Sequence, residues 1–202
     1  MAIAINGSTN VITGISVGGL PDGIVDTDMI AAAAVTAPKR GPGAIRQVKH
    51  VVDATTGSTS STSFTNSPVS SLNTNITPVA AGSKILMIVH LNMEMGGSNT
   101  GSIILARDPA GSPSYFGNSG VSTTLAPGNN STGATKLFLS QGYGGLNGTN
   151  VCASGIDTPS YTLGNSLTYG MLVGCNGNTL YYNRGPAGYN LVSQLILMEV
   201  AA

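Results

Sequence analysis

Acid–base and nucleophilic chemistry has few residues to draw on in this 202-residue chain: two histidines, two cysteines and eight carboxylates. A Ser/His/Asp hydrolase needs His50 or His90 as its base, and neither lies in a catalytic context. Each sits in an apolar alternating stretch and reads as a hydrogen-bonded sheet histidine. Glycoside hydrolysis needs two carboxyl groups about 5–10 Å apart. Glu94, Asp108, Asp157 and Glu199 are scattered and nominate no pair. Cys152 and Cys175 have no neighbouring metal-ligand partner, so no zinc site is expected. A bridge between them is left open; without a secretory leader it is the less expected state. The stretch from Asp22 to Asp28 fails the alternating-acid spacing of a calcium loop. There is no G-x-x-x-x-G-K-[ST] phosphate loop. The expectation is a protein with no catalytic residues, no metal and no cofactor.

Composition points the same way. Charged residues are 8% of the chain, and Lys+Arg and Asp+Glu are 8 each. The average soluble domain has about 25%. Without a basic excess to neutralise phosphates, nucleic acid is not an expected partner. Gly alone contributes 28 residues, and Ser, Thr and Asn are also abundant, yet the hydrophobic fraction is 41%. That is enough aliphatic surface for a core, unlike a disordered chain. No run reaches the roughly 18 apolar residues of a membrane span, so membrane insertion is not expected. Half of the charges fall between residues 22 and 53.

The elements follow from periodicity. Residues 1–43 have little core-forming power: two short apolar alternations around Asn6-Gly7-Ser8, then a chain reversal at 18–23. Residues 26–34 read as one short helix, capped by Asp26 or Thr27 and ended by Pro38. From 44 to 202 the pattern is β. Strands are expected at 45–52, 71–79, 84–93, 101–107, 134–140, 167–175, 179–183 and 192–200. Loops are expected at 54–63, 108–133 and 141–157, and Asn176-Gly177 suits a hairpin turn. Many short strands with no helical period between them mean an all-β sandwich or barrel. The strands at 84–93 and 192–200 are apolar on both faces, as Leu195 and Leu197 against Ile196 and Met198 illustrate. Such strands need a second apolar surface, supplied by a thick core or by another copy of the chain. Tyr115, Phe116, Tyr143 and Asn147 lie in loops of small polar residues. There they form an adaptable contact surface suited to saccharide, or else plug the end of the sandwich.

Several short segments resemble virion surface proteins of tailed phages. The N-terminal Ala2-Ile3-Ala4-Ile5-Asn6-Gly7, Ile12-Thr13-Gly14-Ile15 and Gly19-Leu20-Pro21-Asp22-Gly23-Ile24-Val25 are similar to the leader of fibre-type proteins. Ile76-Thr77-Pro78, Ser83-Lys84-Ile85-Leu86-Met87, Asp157-Thr158-Pro159 and Leu195-Ile196-Leu197-Met198-Glu199-Val200 resemble their C-terminal β domain. The resemblance implies a jelly-roll β-sandwich over 44–202, assembled as a homotrimer of the TNF/C1q type. It also implies an N-terminal segment, 1–43, that docks on other virion structural proteins. Leu20, Pro21, Asp22, Ile24, Asp26, Asp28 and Met29 are the expected anchoring residues. The implied place is the virion surface, after synthesis in the host cytoplasm, and the implied partner is host cell-surface glycan. A capsid decoration or cement protein is the alternative within the same resemblance.

Overall fold

The computed structural model describes residues 4–6, 11–13, 41–96, 100–116, 138–141, 149–175, 177–185 and 190–202. The chain divides into two compact units between Lys39 and Arg40. In the first, β1 (Ala4–Asn6) pairs antiparallel with β2 (Val11–Thr13). The expected helix at 26–34 and the seven expected anchoring residues, Leu20, Pro21, Asp22, Ile24, Asp26, Asp28 and Met29, lie outside the described residues. So do Tyr143 and Asn147.

The second unit holds two antiparallel sheets. The first contains β3 (Ile45–Asp53), β4 (Gly57–Thr59), β6 (Lys84–Met95), β10 (Thr149–Asp157), β12 (Leu180–Tyr182) and β13 (Ser193–Val200). β6 is its central strand: β13 pairs along 84–90, β12 along 93–95, and β10 along 85–93 on the opposite edge. β3 lies outside β13 and β4 outside β12. The second sheet runs β5 (Thr74–Ile76), β11 (Leu167–Cys175), β7 (Thr100–Arg107), β8 (Ser114–Tyr115), with β9 (Phe138–Gln141) also on β7. Among the described residues the only helical element is a 3-10 turn at Val69–Leu72, and no helix is long and apolar enough to cross a membrane.

Alternation builds the core. Ile85, Met87, Val89, Leu91 and Met93 of β6 point to one side with Leu195 and Leu197 of β13. They meet Ile103 and Leu105 of β7 and Tyr169, Met171 and Val173 of β11. Apart from the 3-10 turn the described part of the chain is all-β, and the second unit is two sheets packed over one core.

The opposite side of the first sheet has three cross-strand rows in its middle, bordered by the row Ile45, Val200 and Lys84 and by the pair Asn92 and Asn150. Val52, Gln194, His90 and Cys152 form one; His50, Ile196, Ile88 and Ser154 the next; Val48, Met198, Leu86 and Ile156 the third. Val48 and Val52 are each 53% exposed and Ile156 is 55% exposed, while the β6 and β13 members are half-buried. The opposite side of the second sheet is shut: Ser102, Ile104 and Ala106 are fully buried and Leu172 is 5% exposed.

Four expectations are corrected. The strand expected over 71–79 is three residues long, because Val69 and Leu72 turn inward as a 3-10 element and Pro78 follows. The segment 141–157, expected as loop, contains β10: Val151 and Ala153 are small apolar positions that alternate into the core among polar neighbours. The loop expected at 54–63 contains β4, whose Gly57 passes close to the Tyr182 ring; a Cβ there would lie 2.7 Å from Tyr182 Cε1. Asn176 of the expected Asn176-Gly177 turn lies outside the described residues; β11 and β12, the strands before and after it, belong to different sheets and so are not a hairpin pair.

Candidate functional site

Of the four expected contact residues, the described part of the chain holds Tyr115 and Phe116. Both follow the turn that leaves β7. Asp108 opens that turn with φ 55, a left-handed conformation that Asp tolerates better than most residues. Its amide donates to Thr168 O at 2.8 Å, and Gly111 N returns to Asp108 O at 3.2 Å. β8 then pairs Tyr115 with Ala106. Tyr115 is half-buried at the surface. Phe116 is 7% exposed and belongs to the core, its ring edge-on to Tyr169 at 5.6 Å between centroids and 74° between planes. Phe116 thus fills the interior, where an aromatic contributes by burial and edge-to-face contact.

The base of this ridge is ionic. Arg107 Nη1 donates to Asp157 Oδ2 at 2.9 Å, and Tyr169 Oη donates to the same oxygen at 2.7 Å. Burial, and donation to Asp157, push the Tyr169 hydroxyl far above its ordinary range. The three groups tie β7, β10 and β11 together beneath the turn. Asp157 is paired with Arg107 and accepts from Tyr169, and so acts as a support for the turn.

Two hollows flank the ridge. The smaller, about 320 Å3, is lined by Arg107, Asp108, Ser112, Ser114, Ser166, Leu167 and Thr168. The larger, about 510 Å3, lies between residues 64–70 and 109–115, with Phe64 and Tyr115 as its aromatic members and Leu172 among its lining residues. Its polar wall is rigid: Asn66 Nδ2 donates to Asn73 Oδ1 at 3.0 Å and to Met171 O at 2.8 Å. Asn73 Nδ2 returns to Asn66 Oδ1 at 2.7 Å. Aromatic side chains beside fixed hydroxyls and amides can bind a polyhydroxylated ligand by stacking and hydrogen bonding.

Two further carboxylates, Glu199 and Asp53, are held by several donors each. Glu199 accepts from Ser83 Oγ at 2.7 Å, Gln47 Nε2 at 2.6 Å, Val79 N at 3.0 Å and Ala80 N at 3.3 Å. Burial alone would raise its pKa, but these donors outweigh it and hold the group below the ordinary Glu value. Asp53 accepts from Tyr182 Oη, Ser71 Oγ and Asn183 Nδ2. Burial pulls it up, the donors prevail, and it too lies below its ordinary value. Tyr182 is correspondingly pushed up to about 12, by burial and by its bond to Asp53. Among the described residues no three His, Cys, Asp or Glu side chains gather to hold a metal. Cys152 and Cys175 are both free thiols, exposed and buried respectively.

Sequence reasoning placed Tyr115 in the contact region but missed Phe64, Arg107 and Asp157. Arg107 and Asp157 are 50 residues apart. A usable signal existed: in a stretch this poor in charge, an Asp closing an apolar alternation at 151–157 needs a buried partner. No family model matches the chain, and no curated protein is significantly similar to it.

Proposed function

We propose that the chain is a non-enzymatic virion surface protein of a tailed phage, of the fibre or receptor-binding kind. On this reading the β unit is a jelly roll assembled as a homotrimer, segment 1–43 docks on other virion structural proteins, and the ridge at 108–115 meets host cell-surface glycan. The observation that carries the glycan contact is the pair of hollows on either side of that ridge, one with Phe64 and Tyr115, the other with hydroxyls and Arg107. The carboxylates at hand are consistent with binding without hydrolysis: Asp157 is tied to Arg107 and Tyr169.

The test is binding of the labelled full chain to host cells, with and without soluble host polysaccharide as competitor. The expected result is saturable binding that the polysaccharide displaces and that Tyr115→Ala together with Phe64→Ala weakens at least tenfold. Undiminished binding by that variant overturns the ridge as the contact. Release of reducing ends from the polysaccharide overturns the non-enzymatic reading. Cross-linking through Lys49 separates the two virion locations: products with tail components support the fibre kind, and products with the major capsid protein alone favour the decoration alternative.

A further inference from the structure

The smaller hollow beside the ridge sets a donor and an acceptor next to each other. Its lining holds Arg107, Asp108 and the hydroxyls of Ser112, Ser114, Ser166 and Thr168. Arg107 uses Nη1 on Asp157 at 2.9 Å, and a guanidinium has five N–H groups in all. Asp108 is exposed, and its carboxylate makes no hydrogen bond or ion pair among the described residues. The backbone beneath that carboxylate is fixed on both sides. The Asp108 amide donates to Thr168 O at 2.8 Å, and Gly111 N donates to Asp108 O at 3.2 Å. Gly111 also explains how the carboxylate keeps its place. A Cβ on Gly111 would lie 2.9 Å from Asp108 Oδ2 and 3.2 Å from Oδ1. The side chain of Asp108 therefore rests over a residue that has none of its own.

Charge decides what this hollow accepts. The Arg107 cation is already answered by Asp157, so Asp108 leaves the hollow with an excess of negative charge. An acidic saccharide meets repulsion there. The larger hollow, across the same turn, has no Asp, Glu, Lys, Arg or His in its lining. It too offers an acidic group no counter-ion, while its Phe64 and Tyr115 suit an uncharged ring face. An uncharged polyol fits both. Two neighbouring hydroxyls can donate to the two oxygens of one carboxylate, and the remaining N–H groups of Arg107 can donate to a ring or hydroxyl oxygen. The volume, about 320 Å3, is at the small end for a ligand site and suits a group the size of a sugar unit.

We propose that the hollow at Arg107 and Asp108 takes an uncharged saccharide unit, with the Asp108 carboxylate accepting from two neighbouring hydroxyls, and that the site selects against acidic glycan. Gly111 is a positioning residue: its missing side chain lets the carboxylate stand over the turn. The proposal rests on the glycan reading above and names the class of glycan.

Competition with host polysaccharide, separated by anion exchange into neutral and acidic fractions, tests this on the full chain bound to host cells. The expected result is displacement by the neutral fraction and none by the acidic one. The affinity is expected to change less than twofold between about 0.1 M and about 1 M salt. Asp108→Asn keeps a residue that tolerates the left-handed backbone and removes one acceptor oxygen, and is expected to weaken binding at least tenfold. Gly111 is not left-handed, so Gly111→Ala is tolerated and its Cβ displaces only the end of the Asp108 side chain. It is expected to weaken binding in the same direction while β circular dichroism and the urea midpoint are unchanged. Displacement by the acidic fraction, alone or beside the neutral one, or an affinity that collapses with salt, overturns the neutral class and leaves the glycan reading standing. Displacement by neither fraction overturns both. Displacement by the neutral fraction that both variants retain overturns the role of Asp108 and leaves the contact to the hollow with Phe64 and Tyr115.

Discussion

The outer faces of the two sheets have opposite fates. On the second sheet, Ser102, Ile104, Ala106 and Leu172 are buried, and the segments carrying Phe64 and Pro109 come round Leu172. On the first, Val48, Val52 and Ile156 are more than half exposed. The side chains are similar in kind, so hydrophobicity alone does not set burial. What differs is whether the chain returns across the face. The difference teaches that apolar content on both sides of a strand reports a demand for cover without saying who supplies it.

The largest expected effect strikes the support of the exposed face. Glu199→Ala takes the acceptor from the Val79 and Ala80 backbone N–H groups, and leaves the Ser83 hydroxyl only Ala80 O and the Gln47 amide only Thr77 O. Buried donors cost about 1–3 kcal/mol each when orphaned, with partial relief from water, so a loss of about 3–5 kcal/mol is expected by urea denaturation. Next comes the covered face itself. Leu172→Ala should cost about 2–4 kcal/mol in the same measurement, as a buried Leu truncation does. Gly170→Ala should cost about 1–3 kcal/mol by overpacking. Its Cβ would lie 2.0 Å from Asn73 Oδ1, which is already held by Asn66. Smallest is the exposed face: Val52→Ser should change the stability of the isolated chain by no more than about 0.5 kcal/mol. Equal costs for Leu172→Ala and Val52→Ser would erase the contrast.

Acid sharpens the comparison further. Glu199 and Asp53 have folded-state pKa values below their unfolded values. Their contribution is therefore complete above the unfolded values, near about 4, and is lost as pH falls through that range toward the folded ones. Unfolding followed by circular dichroism should begin below about pH 4. An unfolding transition that begins above about pH 6 would mean that Glu199 and Asp53 do not control it.

Much of the β unit was legible because its strands alternate. The segment 167–175 was read with the bounds it has, and 84–93 and 192–200 were read with their double apolarity. β10 was hidden because its inward residues include Ala153 and Gly155, too small to register as a hydrophobic period. Gly155 is small for a reason that only the fold shows: a Cβ there would lie 3.2 Å from Leu105 Cδ1 and 3.4 Å from Phe116. The ridge was half legible. Tyr115 stood out by composition, whereas Phe64 joins it only through a loop return, and Arg107 meets Asp157 only through sheet pairing. That His50 and His90 share one side of the first sheet could not be read from either histidine alone. It needed the register that sets Gln194 between His50 and His90.

The most direct test of the homotrimer reading uses the two thiols the chain already has, one of them on the half-exposed apolar face that another copy would cover. Cys152 lies exposed on the outer face and Cys175 lies buried in the core. At one pH near neutrality, thiol labelling of Cys152 should be at least tenfold slower in the full chain than in the Val48→Lys variant, with Cys175 slow in both. Equal Cys152 rates in the two proteins would contradict the account.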